Sequence, residues 1–434
     1  MTEKHTLSPF MATLININIM LGSGIFINIA ELARRTGALG FVCYACVGIM
    51  LLPLVFSMAT LLRLYPAGSF YTFAAHNLSP FFGFISSWSY FMGKLGSAAI
   101  MIHASVLILQ QLLPALQAIN PLMLDTIILS VFIALNMLHM KTGTLIQGAF
   151  TVLKLIPIMI IIGVGILFVQ GVNFTAEHQV WSGVPLALPL VVYALMGFEV
   201  ACSLSAHIKN SQENGPKVIF VSYAVAVGIV ILFQLFFYGI LGPLLAAQNS
   251  FRDAYPLLFA YLIPGMPYVA YGMSLFCNLA IALSALGGAY GILFSNSWNL
   301  HILARHGHVI HASWFTQLNK YSIPMACVLT EGIICFLYLI ISGGRQVVLQ
   351  QLGVLGVISA LLLSVISLMM ARIRNEAQIT LWIPALGLVS CAVLLTACIR
   401  GLFITGPAAL AAFCIIVMLG CAMYCIQRHH TMRT

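Results

Sequence analysis

Charged residues are scarce in this 434-residue chain: 18 Lys+Arg and 9 Asp+Glu make up only 6% of it. Soluble domains contain about 25% charged residues, and so few could not cover a surface that faces water. The scarcity therefore argues against a soluble enzyme, a nucleic-acid-binding protein and a disordered chain. The net charge of +9 does not reverse this conclusion, because the basic residues are scattered and form no basic face.

The sequence also lacks a cluster of the residues that usually bind metals or catalyse reactions. Its 11 cysteines lie in apolar runs, where cysteine behaves as a small hydrophobe. Four histidines lie within residues 301–311, but no cysteine or acidic ligand is near them, which favours an interfacial loop over a metal site. We therefore expect no metal and no cofactor. A membrane enzyme is an alternative function, although no convergent set of catalytic groups supports it.

Apolar residues make up 62% of the chain and form twelve runs that can cross a membrane at about 20 residues per helix. The runs lie at 9–33, 38–62, 80–112, 121–140, 145–170, 184–206, 216–244, 266–299, 322–342, 346–371, 378–399 and 405–427. Twelve spans place both termini on one side, and assigning that side to the cytoplasm puts eleven Lys/Arg there against five outside. With no evident signal peptide, we expect a multi-pass protein of the bacterial inner membrane with cytoplasmic termini.

Span one is interrupted near its middle by Gly22-Ser23-Gly24. Two glycines around a serine make a poor helix interior, and an unwound backbone is tolerated in a membrane only where protein or a cavity satisfies it. We predict a break here, after which a half-helix directs free N–H groups and the positive end of its dipole towards a carboxylate. The alternative is that these glycines only allow close helix packing.

Span six contains a second candidate break in the segment Tyr193-Ala194-Leu195-Met196-Gly197-Phe198-Glu199. If the helix unwinds beside Gly197, its freed carbonyls can accept hydrogen bonds from an ammonium group. The two breaks are five spans apart, so their helices run in opposite directions, as in transporters built from inverted repeats with the substrate at the midplane. An amino acid has one carboxylate and one ammonium, and the two breaks offer a partner for each.

Together with these segments, a series of short motifs resembles the amino acid–polyamine–organocation (APC) superfamily of transporters, and is similar to its bacterial arginine/agmatine-type antiporters and proton-coupled amino acid transporters. The resemblance extends from about Ser8 to Gln427. Each motif is weak alone, but their order and spacing make the combination specific. Besides the two break segments, the motifs are Tyr65-Pro66-Ala67-Gly68-Ser69-Phe70-Tyr71, Gly83-Phe84, Lys209-Asn210, Pro216 and Leu286-Gly287-Gly288-Ala289-Tyr290.

The resemblance implies an all-α polytopic membrane protein with a LeuT-type 5+5 inverted-repeat fold, twelve transmembrane helices, and breaks in helices 1 and 6. The first five-helix repeat would comprise residues 9–171 and the second, inverted repeat residues 184–373. Two additional C-terminal helices would follow at 378–427.

The resemblance also implies which residues bind the substrate and couple its transport. Backbone groups of the two breaks would bind the carboxylate and the amine, while tyrosines would gate or stack on the substrate. The implied substrate-binding residues are Met20, Gly22, Ser23, Gly24, Ile25, Tyr193, Met196, Gly197 and Tyr290. Glu199 matches a proton-sensing acid of the antiporters, and Lys154 matches a span-five lysine that replaces a sodium ion in proton-coupled relatives.

Lys94 departs from the arginine/agmatine type, because a fixed cation at this substrate-facing position would repel a guanidinium. Ionisable groups inside spans are costly and usually functional. Two interpretations of Lys94 stay open: it holds an acidic or polar substrate side chain, or it pairs with Glu199 when the site is empty. For Glu331, in span nine, a helix-packing or lipid-edge role is favoured.

The sequence thus predicts a secondary active transporter that moves an amino acid by alternating access. Its transport would be linked to protons or would exchange one substrate for another. The alternative within transport is a carrier of another small amine or zwitterion on the same fold. We expect the partners to be the small-molecule substrate, protons or a counter-substrate, and membrane lipid, with no nucleic acid.

Overall fold

A computed structural model describes residues 8–66, 68–138, 140–205 and 208–431, and the side chains of all these except 140–152, 203–204 and 428–431. Ala67 of the span-two motif lies outside the described residues. The described part is built from α-helices with short 3₁₀ turns. The helices are α1 (Pro9–Met20), α2 (Gly24–Thr36), α3 (Gly40–Leu64), α4 (Phe70–Asn77), α5 (Pro80–Leu112), α6 (Pro114–Gln117), α7 (Pro121–Asn136), α8 (Met140–Phe168), α9 (Val184–Leu195), α10 (Val200–Leu204), α11 (Ser211–Leu241), α12 (Pro243–Ala246), α13 (Ala254–Leu262), α14 (Pro267–Arg305), α15 (Ala312–Thr316), α16 (Met325–Ser342), α17 (Gln346–Ile373), α18 (Trp382–Thr405) and α19 (Pro407–Thr431).

Several of the long helices begin where a polar residue precedes proline. Ser8, Ser79 and Asn120 each accept a hydrogen bond from a backbone N–H in the first turn of the helix that follows. Proline then occupies the first helical position, where its missing N–H needs no partner. Local sequence therefore sets the starts of spans one, three and four.

Within the described residues, ten helical segments are long and apolar enough to cross a membrane, and two of them are formed by broken helices, α1–α2 and α9–α10. Two shorter apolar segments, Pro121–Asn136 and Leu153–Phe168, occupy the fourth and fifth predicted spans. Every one of the twelve predicted spans thus contains an apolar helix. The chain is an integral, multi-pass membrane protein.

Helix α5 lies at the centre of the bundle and is buried along almost its whole length. It crosses α17 at glycines: a Cβ added to Gly93 would lie 2.8 Å from the Gly353 carbonyl oxygen, and one added to Gly356 would lie 2.5 Å from the Gly93 Cα. Small residues allow helix backbones to approach this closely in membranes. The crossing brings the middle of α5, where Gly93 precedes Lys94, close to the backbone of α17.

Candidate functional site

The first break separates α1, which ends at Met20, from α2, which begins at Gly24. Leu21 closes α1 by donating its backbone N–H to the Ile17 carbonyl at 2.8 Å. At the start of α2, Phe26 and Ile27 donate their backbone N–H groups to the Ser23 carbonyl at 3.1 and 2.9 Å. The N–H groups of Gly24 and Ile25 precede them and have no earlier helical carbonyl to bond, as at the start of any helix. The unwinding predicted at Gly22-Ser23-Gly24 is confirmed, and it leaves backbone donors at the middle of the span.

The second break separates α9, which ends at Leu195, from α10, which begins at Val200. Met196 is extended, with φ −74° and ψ 156°, and Gly197 has φ +124°. A residue with a Cβ is strained at such a φ, so the glycine is required by the backbone conformation. The predicted break in span six is therefore also confirmed.

The two breaks pack directly against each other. A Cβ added to Gly197 would lie 3.0 Å from the Met20 Cα, and one added to Gly24 would lie 2.8 Å from the Ala194 Cα. Close packing, the alternative interpretation of the span-one glycines, therefore applies to Gly24. A larger side chain at Gly24 would displace α9 as well as obstruct a ligand.

A small cavity of about 20 Å³ lies at the breaks. This volume accommodates one water molecule, so binding a larger solute requires the lining to move apart. The cavity is lined by Ile19, Met20, Gly22, Gly24, Lys94, Ser97, Met101, Tyr193, Met196, Ile292, Gly353 and Val357. Six of the residues predicted to bind substrate are among them: Met20, Gly22, Gly24, Lys94, Tyr193 and Met196.

The other residues predicted to bind substrate lie around this cavity or face away from it. The Ser23 hydroxyl is 3.5 Å from the Tyr193 hydroxyl, and Ile25 is buried in the first turn of α2. The Tyr290 ring packs edge-on against Phe132 of α7, with 5.6 Å between centroids, and Tyr290 is not among the described residues that line the cavity. In this conformation the structure does not bring Tyr290 together with the other predicted residues.

Lys94 and Glu199 form a buried ion pair beside the second break. Lys94 Nζ lies 2.6 Å from Glu199 Oε1, and the Lys94 and Glu199 side chains are 7% and 0% exposed. Glu199 Oε2 accepts the Gly197 backbone N–H at 2.8 Å, and Lys94 Nζ is 5.3 Å from the centre of the Tyr90 ring. The carboxylate therefore connects the unwound backbone of span six to α5, as one of the two interpretations of Lys94 anticipated.

Lys154 connects α8 to the first break. Its buried ammonium donates to the carbonyl oxygens of Asn18 at 2.7 Å and Leu21 at 3.0 Å. These carbonyls belong to the end of α1, where helical partners are missing and the helix dipole is negative. A buried cation suits this position, because it donates hydrogen bonds to the free carbonyls and is attracted by the negative end of the helix dipole.

Two asparagines of span one, which the sequence analysis did not single out, also hold the breaks in place. Asn16 Nδ2 donates to Ser222 Oγ at 2.6 Å and to the Phe198 carbonyl at 3.4 Å. Asn28 Nδ2 donates to the Leu190 carbonyl at 2.7 Å. Their amides stand out in an apolar span because unsatisfied amides are costly there, and this signal could have identified them.

The sequence analysis also missed much of the cavity wall on α5, α14 and α17. Ser97 lies one helical turn after Lys94, so helical periodicity could have indicated it. Met101, Ile292, Gly353 and Val357 carry no such signal, because apolar and small residues are common throughout the spans. Which of them meet at the cavity is decided by helix packing.

Other buried ionisable groups lie on neighbouring helices. His103 Nδ1 is 2.7 Å from Asp125 Oδ2, between α5 and α7. Glu331 of α16 is fully buried in the protein, which does not fit a lipid-edge position, and a helix-packing role stays a prediction. Within the described residues, no group of three or more histidine, cysteine, aspartate or glutamate side chains is placed to hold a metal ion.

A family model described as "Amino acid permease" matches residues 7–428. Among curated proteins, "Sexual differentiation process putative amino-acid permease isp5" of Schizosaccharomyces pombe is 24% identical over 359 residues, which is 77% of this chain. The chain spans only 58% of the length of isp5. The low-affinity putrescine importer PlaP of Escherichia coli is 24% identical over 337 residues, covering 75% of this chain and 72% of PlaP.

Among solved structures, a mutant manganese transporter of Eremococcus coleocola is similar in fold. Its TM-score is 0.58, with 13% sequence identity and coverage of 97% of this chain and 94% of the transporter. At this identity the similarity concerns the fold alone. It confirms the predicted all-α LeuT-type fold.

Proposed function

The chain belongs to the amino acid permease family of the APC superfamily, and from this membership we propose that it carries an amino acid across the membrane by alternating access. Membership makes it a membrane transporter of a small molecule. The proposal that the substrate is an amino acid rests on the contact between the two broken helices, in which Gly197 of the second break packs on Met20 of the first. Residues of both breaks, Gly22 and Gly24 of the first and Met196 of the second, thereby line the same small cavity.

The two ends of an amino acid match backbone groups of the two breaks. The α-carboxylate would accept from the first turn of α2, formed by Ser23, Gly24 and Ile25, where the helix dipole is positive. The ammonium would donate to carbonyls at the ends of α1 and α9, including those of Met20, Tyr193 and Met196. Tyr193 lines the cavity, and its hydroxyl lies 3.5 Å from the Ser23 hydroxyl, which suits a role in closing over the substrate. We also propose that Tyr290 contacts the substrate once the cavity lining has moved apart.

The same contacts support coupling to protons or to a counter-substrate. Lys154 holds the Asn18 and Leu21 carbonyls, so a change in its charge would loosen the first break. Glu199 holds the Gly197 N–H and pairs with Lys94, so a change in its charge would loosen the second. We therefore assign proton coupling to Lys154 and Glu199.

We place the breaks in the first helix of each of two inverted repeats, residues 9–171 and 184–373, followed by two further helices at 378–427. Lys154 of the first repeat packs on the first break, as expected if each repeat supports its own broken helix. The excess of basic residues on one side supports cytoplasmic termini and an inner-membrane location.

A small amine without a carboxylate is the second candidate substrate, because the relative PlaP is described as a putrescine importer. A diamine has no group that would accept from the first turn of α2, and it would bring two further cations beside Lys94. The geometry therefore favours an amino acid. A membrane enzyme would instead convert its substrate, so the recovery of unchanged substrate separates it from a carrier.

Counterflow in proteoliposomes tests the proposal. Vesicles are loaded with one unlabelled amino acid, or with putrescine, and uptake of the labelled compound is followed by filtration and chromatography. We expect transient accumulation of unchanged label for an amino acid, and its loss in Gly22→Val, because Gly22 lines the cavity and meets only the Met101 side-chain tip and the Ile19 carbonyl. Gly228→Val is the matched control, since a Cβ added there has nothing within 4 Å. Accumulation of putrescine alone would overturn the proposal.

A further inference from the structure

We infer that the transported amino acid carries a second carboxylate, which Lys94 holds, so that aspartate or glutamate is the preferred class of substrate. This inference rests on the proposed amino acid transport. It concerns the part of the substrate that the two breaks do not bind.

Lys94 is placed to meet a ligand. Within the described residues, it is the only lysine, arginine, histidine, aspartate or glutamate that lines the cavity. Its ammonium has three N–H donors and forms an ion pair with Glu199 Oε1 at 2.6 Å. Ser97 follows one turn later on the same wall, where its hydroxyl donates to the Gly93 carbonyl at 3.4 Å. The Lys94 ammonium is thus the charged donor on this wall, and a charged donor is suited to a carboxylate.

An acidic amino acid also suits the charges at the breaks. Lys94 and Glu199 pair as one positive and one negative charge, and Lys154 is matched by the Asn18 and Leu21 carbonyls and by the negative end of the α1 dipole. A side-chain carboxylate would add a second counter-charge to the ammonium that lines the cavity, whereas a diamine would place further positive charge beside it.

The pairing with Glu199 gives Lys94 a fixed position before substrate arrives. Glu199 Oε2 is held by the Gly197 backbone N–H, so the carboxylate, and with it Lys94, is tied to the second break. A substrate whose side-chain carboxylate contacts Lys94 while its ammonium contacts the carbonyls of that break would therefore connect α5 to α9.

Competition in proteoliposomes tests the inference. Uptake of radiolabelled L-glutamate and L-aspartate is competed with L-glutamine, L-asparagine, L-leucine, L-arginine and putrescine. In the wild type we expect the acids to compete about 10- to 100-fold better than their amides, the factor typical of a charge-assisted hydrogen bond. Lys94→Met should reduce this ratio to near one, whereas Lys320→Met, which removes an exposed lysine, should leave it unchanged.

A second variant guards against misfolding, because Lys94→Met alone leaves Glu199 buried without its cation. The double variant Lys94→Met/Glu199→Gln removes both charges and should show the same loss of preference. Equal competition by amides and acids in the wild type, or a preference that persists in both variants, would overturn the inference and leave amino acid transport standing. Exchange of no amino acid at all would overturn the proposed function itself.

Discussion

Lys94 Nζ and Glu199 Oε1 lie 2.6 Å apart in the interior of the bundle, and this pair ties the third span to the break in the sixth. Removing one partner of a buried pair leaves an uncompensated charge, whereas removing both does not. The two residues should therefore behave as a unit, both in stability and in the movement of the second break.

A double-mutant cycle measures the coupling energy between Lys94 and Glu199. We expect Lys94→Met and Glu199→Gln each to destabilise the protein by about 3–5 kcal/mol, and the double variant to be much less destabilised than the sum of the two. The measurement is thermal or denaturant unfolding of the purified protein in detergent. Additive losses would mean that the two side chains are not coupled in the membrane protein.

Glu199→Gln also tests proton linkage. The amide retains an oxygen that can accept the Gly197 N–H, but it cannot exchange a proton, so the pH dependence of exchange should flatten. Initial counterflow rates of wild type and variant between pH 5 and 8 decide the point. Glu213→Gln, at an exposed position, serves as the control, and an unaltered pH profile in Glu199→Gln would remove Glu199 from the coupling mechanism.

Lys154→Met should damage the first break. The variant leaves the Asn18 and Leu21 carbonyls without their donor, and each unsatisfied buried group costs about 1–3 kcal/mol. We expect a lower melting temperature and strongly reduced exchange. Lys217→Met, which changes an exposed lysine, should be close to wild type. A stable and active Lys154→Met protein would show that the end of α1 does not depend on this cation.

Gly197→Ala should prevent the second break from forming correctly. Gly197 has φ +124°, and the added Cβ would lie 3.0 Å from the Met20 Cα, so strain and contact act together. Exchange should fall at least tenfold, an expected loss of about 1.4 kcal/mol or more. Gly228→Ala, in open space on α11, should be neutral or slightly stabilising. Equal activity of the two variants would contradict a requirement for this backbone conformation.

The features that the sequence predicted well are those with a local physical signature. Two glycines that flank a serine predicted the break in span one, whereas single glycines such as Gly93 lie inside continuous helices. The buried Lys154 likewise required acceptors, and it finds them in the Asn18 and Leu21 carbonyls at the end of α1. The position of Tyr290 could not be predicted in this way, because helix rotation decides which residues a buried aromatic side chain contacts. Its ring packs against Phe132 and not at the cavity. Asn16 had a readable signal, but its partners, Phe198 in the second break and Ser222 on α11, are set by tertiary packing.

The loop after α14 offers a prediction about stability at acid pH. His308 Nε2 is hydrogen-bonded to the Tyr71 hydroxyl at 2.8 Å, and its ring lies 4.9 Å from that of Tyr424. Burial, followed by the nearby His306, lowers the pKa of His308 from 6.5 to about 4. Because the folded state disfavours the protonated imidazole, the stability from this contact is complete above pH 6.5 and is lost as the pH falls towards 4.

His308→Gln should therefore weaken the dependence of stability on pH. Glutamine can retain a hydrogen bond to the Tyr71 hydroxyl but does not titrate, so its melting temperature should fall less between pH 6.5 and 4.5 than that of the wild type. Melting of both proteins in the same detergent gives the comparison, and carboxylates that titrate in this range contribute equally to both curves. His311→Gln, which alters an exposed histidine of the same loop, should follow the wild-type curve. Parallel curves for wild type and His308→Gln would mean that the contact with Tyr71 and Tyr424 is not disrupted by protonation.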